Sequence, residues 1–244
     1  MNIAIIPAKH NSKGLPGKNL LRLSPNEYPL FFRTCSIALL ANGIDSVVFV
    51  SDSRSMKDMA ADWYFERKYK KKLLIIDEPD WLTHDEIGVD EVTYFAIRYI
   101  QYHKKMQMAN NDLVFVLQPT SCFIQKKDLE AAVSEFSQQC DNVAGTNGYN
   151  SLMSCFASLK YYYSLSDNFE MMAIGHDPLK RKNRQYKNCK DILVENGAIY
   201  AAKVSTITEH KTFRVPPIYP FIMDENLSIE IDSVYDLTLA RASK

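Results

Sequence analysis

Four short apolar runs, each followed by a polar loop, constrain the fold of this chain more than any other feature. Asn2–Pro7, Ser46–Val50, Leu73–Ile76 and Leu113–Leu117 are nearly all valine, isoleucine, leucine and alanine, without the alternation of a half-exposed strand. Runs of that kind bury both faces. Between them, Pro29–Asn42, Ser55–Lys70 and Val89–Lys105 carry apolar residues at helical spacing, the first with Gly43 where a C-terminal cap is expected. The alternation predicts a three-layer α/β fold, a mostly parallel sheet with helices on both faces. After about Val143 the pattern weakens. Tyr161–Tyr163 and Phe169–Ile174 predict an excursion that packs on a partner subunit. Gly197–Lys203 and Phe221–Met223 read as further strands, and Val234–Ala242 as a closing helix. The expectation is one domain over residues 1–244, with a protruding dimerisation arm within about 145–190.

Charge excludes two classes of partner. The 29 lysines and arginines balance 29 aspartates and glutamates, so no net field draws nucleic acid or an anionic membrane. The basic run Lys68–Lys72, interrupted by Tyr69, is read more simply as a solvated helix end than as a nucleic-acid patch. Cys35, Cys122, Cys140, Cys155 and Cys189 form no C-x-x-C pair, which suggests reduced thiols. The N-terminus opens directly into a strand and no apolar run reaches membrane-spanning length, so a cytoplasmic location is expected.

In sheets of this type ligands sit beyond the carboxyl ends of the strands. That singles out the loops Ala8–Leu20, Ser51–Arg54, Asp77–Gly88 and Gln118–Phe123. The first, Pro7-Ala-Lys-His-Asn-Ser-Lys-Gly-Leu-Pro-Gly-Lys-Asn19, is the most informative. Gly14 and Gly17 let backbone approach an anion closely, and Lys13 and Lys18 bring point charges suited to phosphate oxygens. It is not a Walker A loop, because Ser12 stands where the first glycine belongs and Asn19 follows the lysine. Nor is it the G-x-G-x-x-G of a dinucleotide site.

This loop resembles the I-P-A-R-x-x-S-K-G-x-P-x-K-N signature of the acylneuraminate cytidylyltransferases, the CMP-sialic acid synthetases. Leu117-Gln-Pro-Thr-Ser121 is similar to that family's L-Q-P-T-S segment and Asn196-Gly-Ala-Ile-Tyr200 to its N-G-A-I-Y strand. Ile229-Glu-Ile-Asp-Ser233 with Tyr235-Asp-Leu237 resembles its I-D-I-D-[ST]-x-x-D-L ending. Each motif alone is weak, but the four occur in order from residue 3 to about residue 240.

The resemblance implies a Rossmann-like nucleotidyltransferase that joins CMP from CTP to the anomeric hydroxyl of an acidic nine-carbon sugar and releases pyrophosphate. No covalent enzyme intermediate is needed, and no Ser/His/Asp or Cys/His set stands out. It implies that Ala8, Lys9, Ser12, Lys13, Gly14, Lys18 and Asn19 hold the nucleotide, with Lys18 and Asp232 catalytic. Gln118, Arg184, Asn196, Tyr200 and Phe213 would face the sugar, and Glu230 and Asp232 would hold Mg²⁺. The residues support parts of this. Asn196 and Tyr200 lie four apart on a predicted strand and so share a face, although Tyr200 also reads as core. Glu230 and Asp232, two apart, likewise share a face and supply hard oxygen ligands. Asp236 reads either as a further ligand or as an acid at a helix N-terminus. The family forms homodimers, and Phe213 lies near where its members place aromatic residues that reach across.

Four departures stand out. Lys9 replaces an arginine and loses its bidentate fork. Glu230 replaces the usual aspartate. Glu78-Pro79 stands where relatives carry Arg-Pro, and an acid there could repel phosphates. The segment Thr83-His-Asp-Glu-Ile-Gly-Val89 replaces a serine-rich stretch; His84 has no partner histidine and reads as polar loop. The alternatives are a CMP-Kdo synthetase acting on a smaller acidic sugar, and a non-catalytic nucleotide-binding homologue.

Overall fold

The computed structural model describes residues 1–244 apart from positions 11, 13, 68, 70, 71, 85, 142–147, 181–191 and 244. The four apolar runs are the first four strands: β1 (Asn2–Pro7), β2 (Ser46–Ser51), β3 (Lys72–Asp77) and β4 (Leu113–Leu117). Three more complete the sheet: β5 (Ser151–Ala157), β8 (Leu193–Lys203) and β9 (Ile218–Met223). The order is β3-β2-β1-β4-β8-β5-β9. Neighbours among β1 to β4 pair in parallel, β8 runs antiparallel to β4 and β5, and β9 is parallel to β5. The sheet is mostly parallel, as expected.

Side-chain alternation divides the core in two. Ala4, Ile6, Val47, Phe49, Phe115 and Leu117 point to one face, covered by α1 (Leu30–Leu40), α2 (Arg54–Arg67) and α4 (Lys126–Gln139). Ile3, Ile5, Val48, Val50, Val114 and Val116 point to the other, under α3 (Val89–Tyr102) and α5 (Val204–His210). Both faces are dry, which is why these strands read as continuous apolar runs. A third, smaller cluster packs α6 (Val234–Ala242) through Leu237 and Ala240 onto Leu23, Leu30, Cys122 and Ile231. The C-terminal segment is thereby pressed against the loop between β1 and α1.

Helices α4 and α5 and strand β5 are additional to the sequence expectation. Helix α4 buries Leu129, Ala132, Val133 and Phe136, an i, i+3, i+4, i+7 stripe that is legible in the sequence. Strand β5 mixes small polar and apolar residues and carries no comparable signal. The remaining strands, β6 (Tyr162–Leu165) and β7 (Met171–Ile174), pair with each other in a separate antiparallel hairpin. Among the described residues, no helix is long and apolar enough to cross a membrane.

Candidate active site

Strand order reverses between β1 and β4, because the chain leaves β1 toward β2 and β3 before returning to the other side. Such a switch point opens a crevice at the carboxyl ends. A cavity of about 330 Å³ lies there. Lys9, Ser12, Gly14, Lys18 and Asn19 form one wall, Gln118, Pro119 and Thr120 stand at the end of β4, and Leu82, Ile87, Val89 and Val92 make an apolar wall into which Glu78 is set.

The glycine loop is held by local bonds. Gly17 adopts a left-handed conformation (φ 69°) that starts the 3-10 turn Lys18–Leu20, and its N–H donates to His10 O at 3.1 Å. Asn19 is buried, and its Nδ2 donates to Lys9 O at 2.8 Å while its Oδ1 has no partner among the described residues. Ala8 is fully buried, its carbonyl accepting from Ser51 Oγ, so it anchors the loop without lining the cavity. A Cβ on Gly14 would stand 2.3 Å from the Asp232 carbonyl oxygen, so only glycine lets the loop lie this close to the C-terminal segment. Lys13 falls outside the described residues.

Close approach brings the carboxylates to the loop. Ile229–Ser233 was expected to be a strand. Instead it makes a single bridge, Glu230 to Ser121, reinforced by Ile231 N–H donating to Thr120 O at 3.0 Å. The segment crosses the end of β4 rather than joining the sheet. Ile231 turns into the third core cluster. Lys18 Nζ lies 2.6 Å from Asp232 Oδ1, with the lysine side chain mostly buried and the aspartate largely exposed. Glu230 Oε1 accepts from Thr120 Oγ1 at 3.3 Å. Burial raises the Glu230 pKa, and the Asp232 charge adds to this; Thr120 and Lys18 act the other way. Asp236 is engaged as a helix cap, its Oδ2 accepting from Ser233 N–H, Ser233 Oγ and Asp232 N–H.

No group of three or more His, Cys, Asp or Glu side chains among the described residues could hold a metal. Two hard-oxygen carboxylates beside a phosphate-type loop nonetheless fit Mg²⁺. That ion keeps several waters and is commonly bound through one or two carboxylates plus substrate phosphates. The mutual repulsion of Glu230 and Asp232 is what a cation would relieve.

The sugar-binding candidates separate. Gln118 lines the cavity. Asn196 and Tyr200 do not share a face, contrary to the regular-strand expectation. Met153 pairs with Tyr200 but Cys155 pairs with Glu195, so two steps along β5 answer to five along β8. The three extra residues are an odd number and reverse the alternation. Gly197, with φ 66°, sits in this bulge, and the Glu230 carboxylate lies where its Cβ would be, about 2.7 Å away. Tyr200 consequently shares a side with Glu195, whose Oε1 accepts from its hydroxyl, and burial foremost raises the phenol pKa. Asn196 points the other way, bonded to Ser154 Oγ (2.6 Å), Ser228 Oγ (2.9 Å) and Met223 Sδ (3.4 Å). It is a buried strut between β5, β8 and the C-terminal segment.

Phe213 was expected near a surface reaching across to a partner. It is fully buried in its own chain, packed on Tyr200 with ring centroids 4.8 Å apart and tied by its N–H to Asp90 Oδ1. The exposed neighbour is Arg214, which pairs with Asp90 at 3.0 Å and lies over both rings. Arg184 falls outside the described residues. His84 is exposed. Glu78, by contrast, is buried yet opens on the cavity. Burial first and Asp52 second push its pKa up to about 7, against Lys9. The expected repulsion of phosphates is therefore weakened, since near neutrality much of this acid is uncharged. Thr120 and Gly197 are site residues to which sequence reasoning assigned no role, although both lie inside the quoted motifs.

The fold, with the anion-type loop at its switch point, is shared with solved nucleotidyltransferases. Similar folds include 4-diphosphocytidyl-2C-methyl-D-erythritol synthase from Anaerococcus prevotii (TM-score 0.66, 13% identity, 99% of this chain and 94% of that one). A CMP-2-keto-3-deoxy-manno-octonic acid synthetase solved with CTP is another (TM-score 0.60, 16% identity, 99% and 97%). The cytidylyltransferase family model matches residues 3–66, the segment that holds the glycine loop. The resemblance to the acylneuraminate cytidylyltransferases is supported by this match and by curated relatives that align along nearly the whole chain. The chain is 27% identical to the CMP-N,N'-diacetyllegionaminic acid synthase of Legionella pneumophila, over 97% of this chain and 93% of that protein. It is 25% identical to the N-acylneuraminate cytidylyltransferase of Streptococcus agalactiae, covering 95% of this chain but 50% of the relative's length. The pseudaminic acid cytidylyltransferase of Campylobacter jejuni is 24% identical over 98% and 94%.

Proposed function

We propose that this protein transfers CMP from CTP to the anomeric hydroxyl of a sialic-acid-like nonulosonic acid. The observation that carries the reading is the single cavity joining the glycine loop to Gln118 and Thr120, with the Lys18–Asp232 pair beside the loop. The sugar oxygen forms a bond to the α-phosphorus as the bond to the β-phosphate oxygen breaks, and pyrophosphate leaves. Such chemistry needs alignment and charge neutralisation more than a nucleophile on the protein. Lys18 and the loop backbone supply positive potential to the phosphates, and the apolar wall accommodates the base. Glu230 and Asp232 would hold Mg²⁺, which when bound offsets charge on the phosphates. The free, buried cysteines Cys35, Cys122, Cys140 and Cys155 fit a reducing, cytoplasmic location.

Incubation with CTP and Mg²⁺ and a panel of acidic sugars, scored by pyrophosphate release, tests this. The panel comprises N-acetylneuraminate, its deaminated form, legionaminate, pseudaminate and Kdo. Turnover is expected with at least one nine-carbon acid and weakly or not at all with Kdo. Turnover with Kdo alone would transfer the protein to the smaller-sugar class, and none with any acid would leave a binding protein.

The β6–β7 hairpin supports a homodimer as the working unit. Leu165, Phe169, Met171 and Met172 are more than half exposed on it, an apolar surface rarely left to solvent. Light scattering at micromolar concentration is expected to give the mass of a dimer, and Phe169→Asp to shift it toward the monomer. A fully active monomer overturns the assignment.

A further inference from the structure

Glu78 is an acid built into the apolar side of the cavity, and the proposed reaction as described gives it no task. It stands just past the end of β3, and its N–H donates to Ser51 O at 3.0 Å, so the side chain starts from a rigid strand end. The residue is 5% exposed and lines the cavity beside Leu82, Ile87 and Val89. Its carboxyl makes no hydrogen bond among the described residues.

Among the described residues, the charged groups that act on it are Asp52 and Lys9. Asp52, after β2, raises its proton affinity and Lys9, after β1, lowers it. Asp52 Oδ1 also accepts from the N–H of His10, whose ring Nδ1 is buried without a partner among the described residues. On α3, Asp90 is engaged by Thr212 and Arg214, and Glu91 Oε2 accepts from Gly88 N–H at 3.0 Å. None of these offers Glu78 a hydrogen-bonded partner, so its natural partner is the ligand.

A pyrimidine seated against the apolar wall presents its polar edge. In cytosine that edge carries a ring-nitrogen acceptor beside an exocyclic amino donor. A neutral carboxylic acid offers the complement, an O–H donor beside a C=O acceptor. An ionised carboxylate offers two acceptors and sets one of them against the ring-nitrogen lone pair. We propose that Glu78 reads the base of CTP as a neutral acid, so that nucleotide affinity is gated by the proton on this side chain. The inference rests on the reading of this cavity as the CTP site. Burial and Asp52 supply the means by holding the proton up to about pH 7.

The test is CTP affinity by calorimetry at pH 6 and pH 8.5, at fixed Mg²⁺, for the wild type and Glu78→Gln. Only the protonated fraction binds well, so wild-type affinity should fall on the order of tenfold or more across this range beyond the change in the variant. Glutamine keeps a donor beside an acceptor and does not titrate, so its residual slope reports the nucleotide phosphates and other groups. Equal slopes in the two proteins overturn the Glu78 role while leaving the nucleotide site standing. Absence of CTP binding by the wild type at both pH values removes the site reading and this inference with it. Thermal melting supplies a ligand-free readout. An acid whose pKa is raised on folding stabilises the native state relative to its behaviour at high pH. That contribution is present below about pH 4.5 and is lost as pH rises through about 7. The wild type should therefore lose stability relative to Glu78→Gln over that window, and parallel melting curves overturn the assignment.

Discussion

Lys18→Ala is expected to lower kcat/KM by about 10²–10³, the scale of removing one preorganised transition-state donor. Gly17 sets the turn that carries Lys18, and Asp232 fixes its ammonium 2.6 Å away, so the charge is in place before substrate arrives. A positioned charge costs no reorganisation as negative charge spreads over the departing pyrophosphate. The mutant also leaves Asp232 without its counter-charge next to the phosphates, and the two losses act together. Steady-state pyrophosphate release by a variant shown to be folded by circular dichroism checks this. Near-normal turnover would mean that the phosphates lie elsewhere.

Asp232→Asn should abolish most activity while leaving stability close to wild type. The Asp232 side chain is largely exposed, and ion pairs of that kind contribute little to folding. The amide retains shape but halves the ligand charge of the carboxylate pair. If that pair holds Mg²⁺, raising the metal concentration should partly restore turnover by mass action. Glu230→Asp, which restores the usual residue of the family, should be tolerated. A fully active Asp232→Asn enzyme with an unchanged Mg²⁺ requirement would overturn the metal assignment. A loss that Mg²⁺ does not relieve would instead assign Asp232 to holding Lys18.

The glycine loop and the first four strands were legible because their signals are local. Ile3–Ile6 and Val47–Val50 are apolar throughout since helices cover both sides of the sheet, and burial of that kind is written directly into composition. Gly14 and Gly17 are demanded by backbone geometry within the loop and by one close approach. Gln118 follows from position alone, because a residue just beyond a buried parallel strand must stand at the ligand edge.

What the sequence by itself determined is the first four strands, the phosphate-type loop and the resemblance to which they point. Tertiary structure alone decided which side chains meet. The period-two rule puts Asn196 and Tyr200 on one face, but a three-residue excess in β8 against β5 reverses it, and a bulge depends on the partner strand. Phe213 is an aromatic residue in a loop by sequence, and only the packing of Tyr200 and the bond to Asp90 bury it. Glu78 reads as an acid that repels phosphates until burial against the apolar wall and the nearby Asp52 raise its proton affinity, with Lys9 acting the other way. Each of these rests on contacts between residues far apart in the chain. The energies of burial, charge and strand register there belong to the neighbours as much as to the residue.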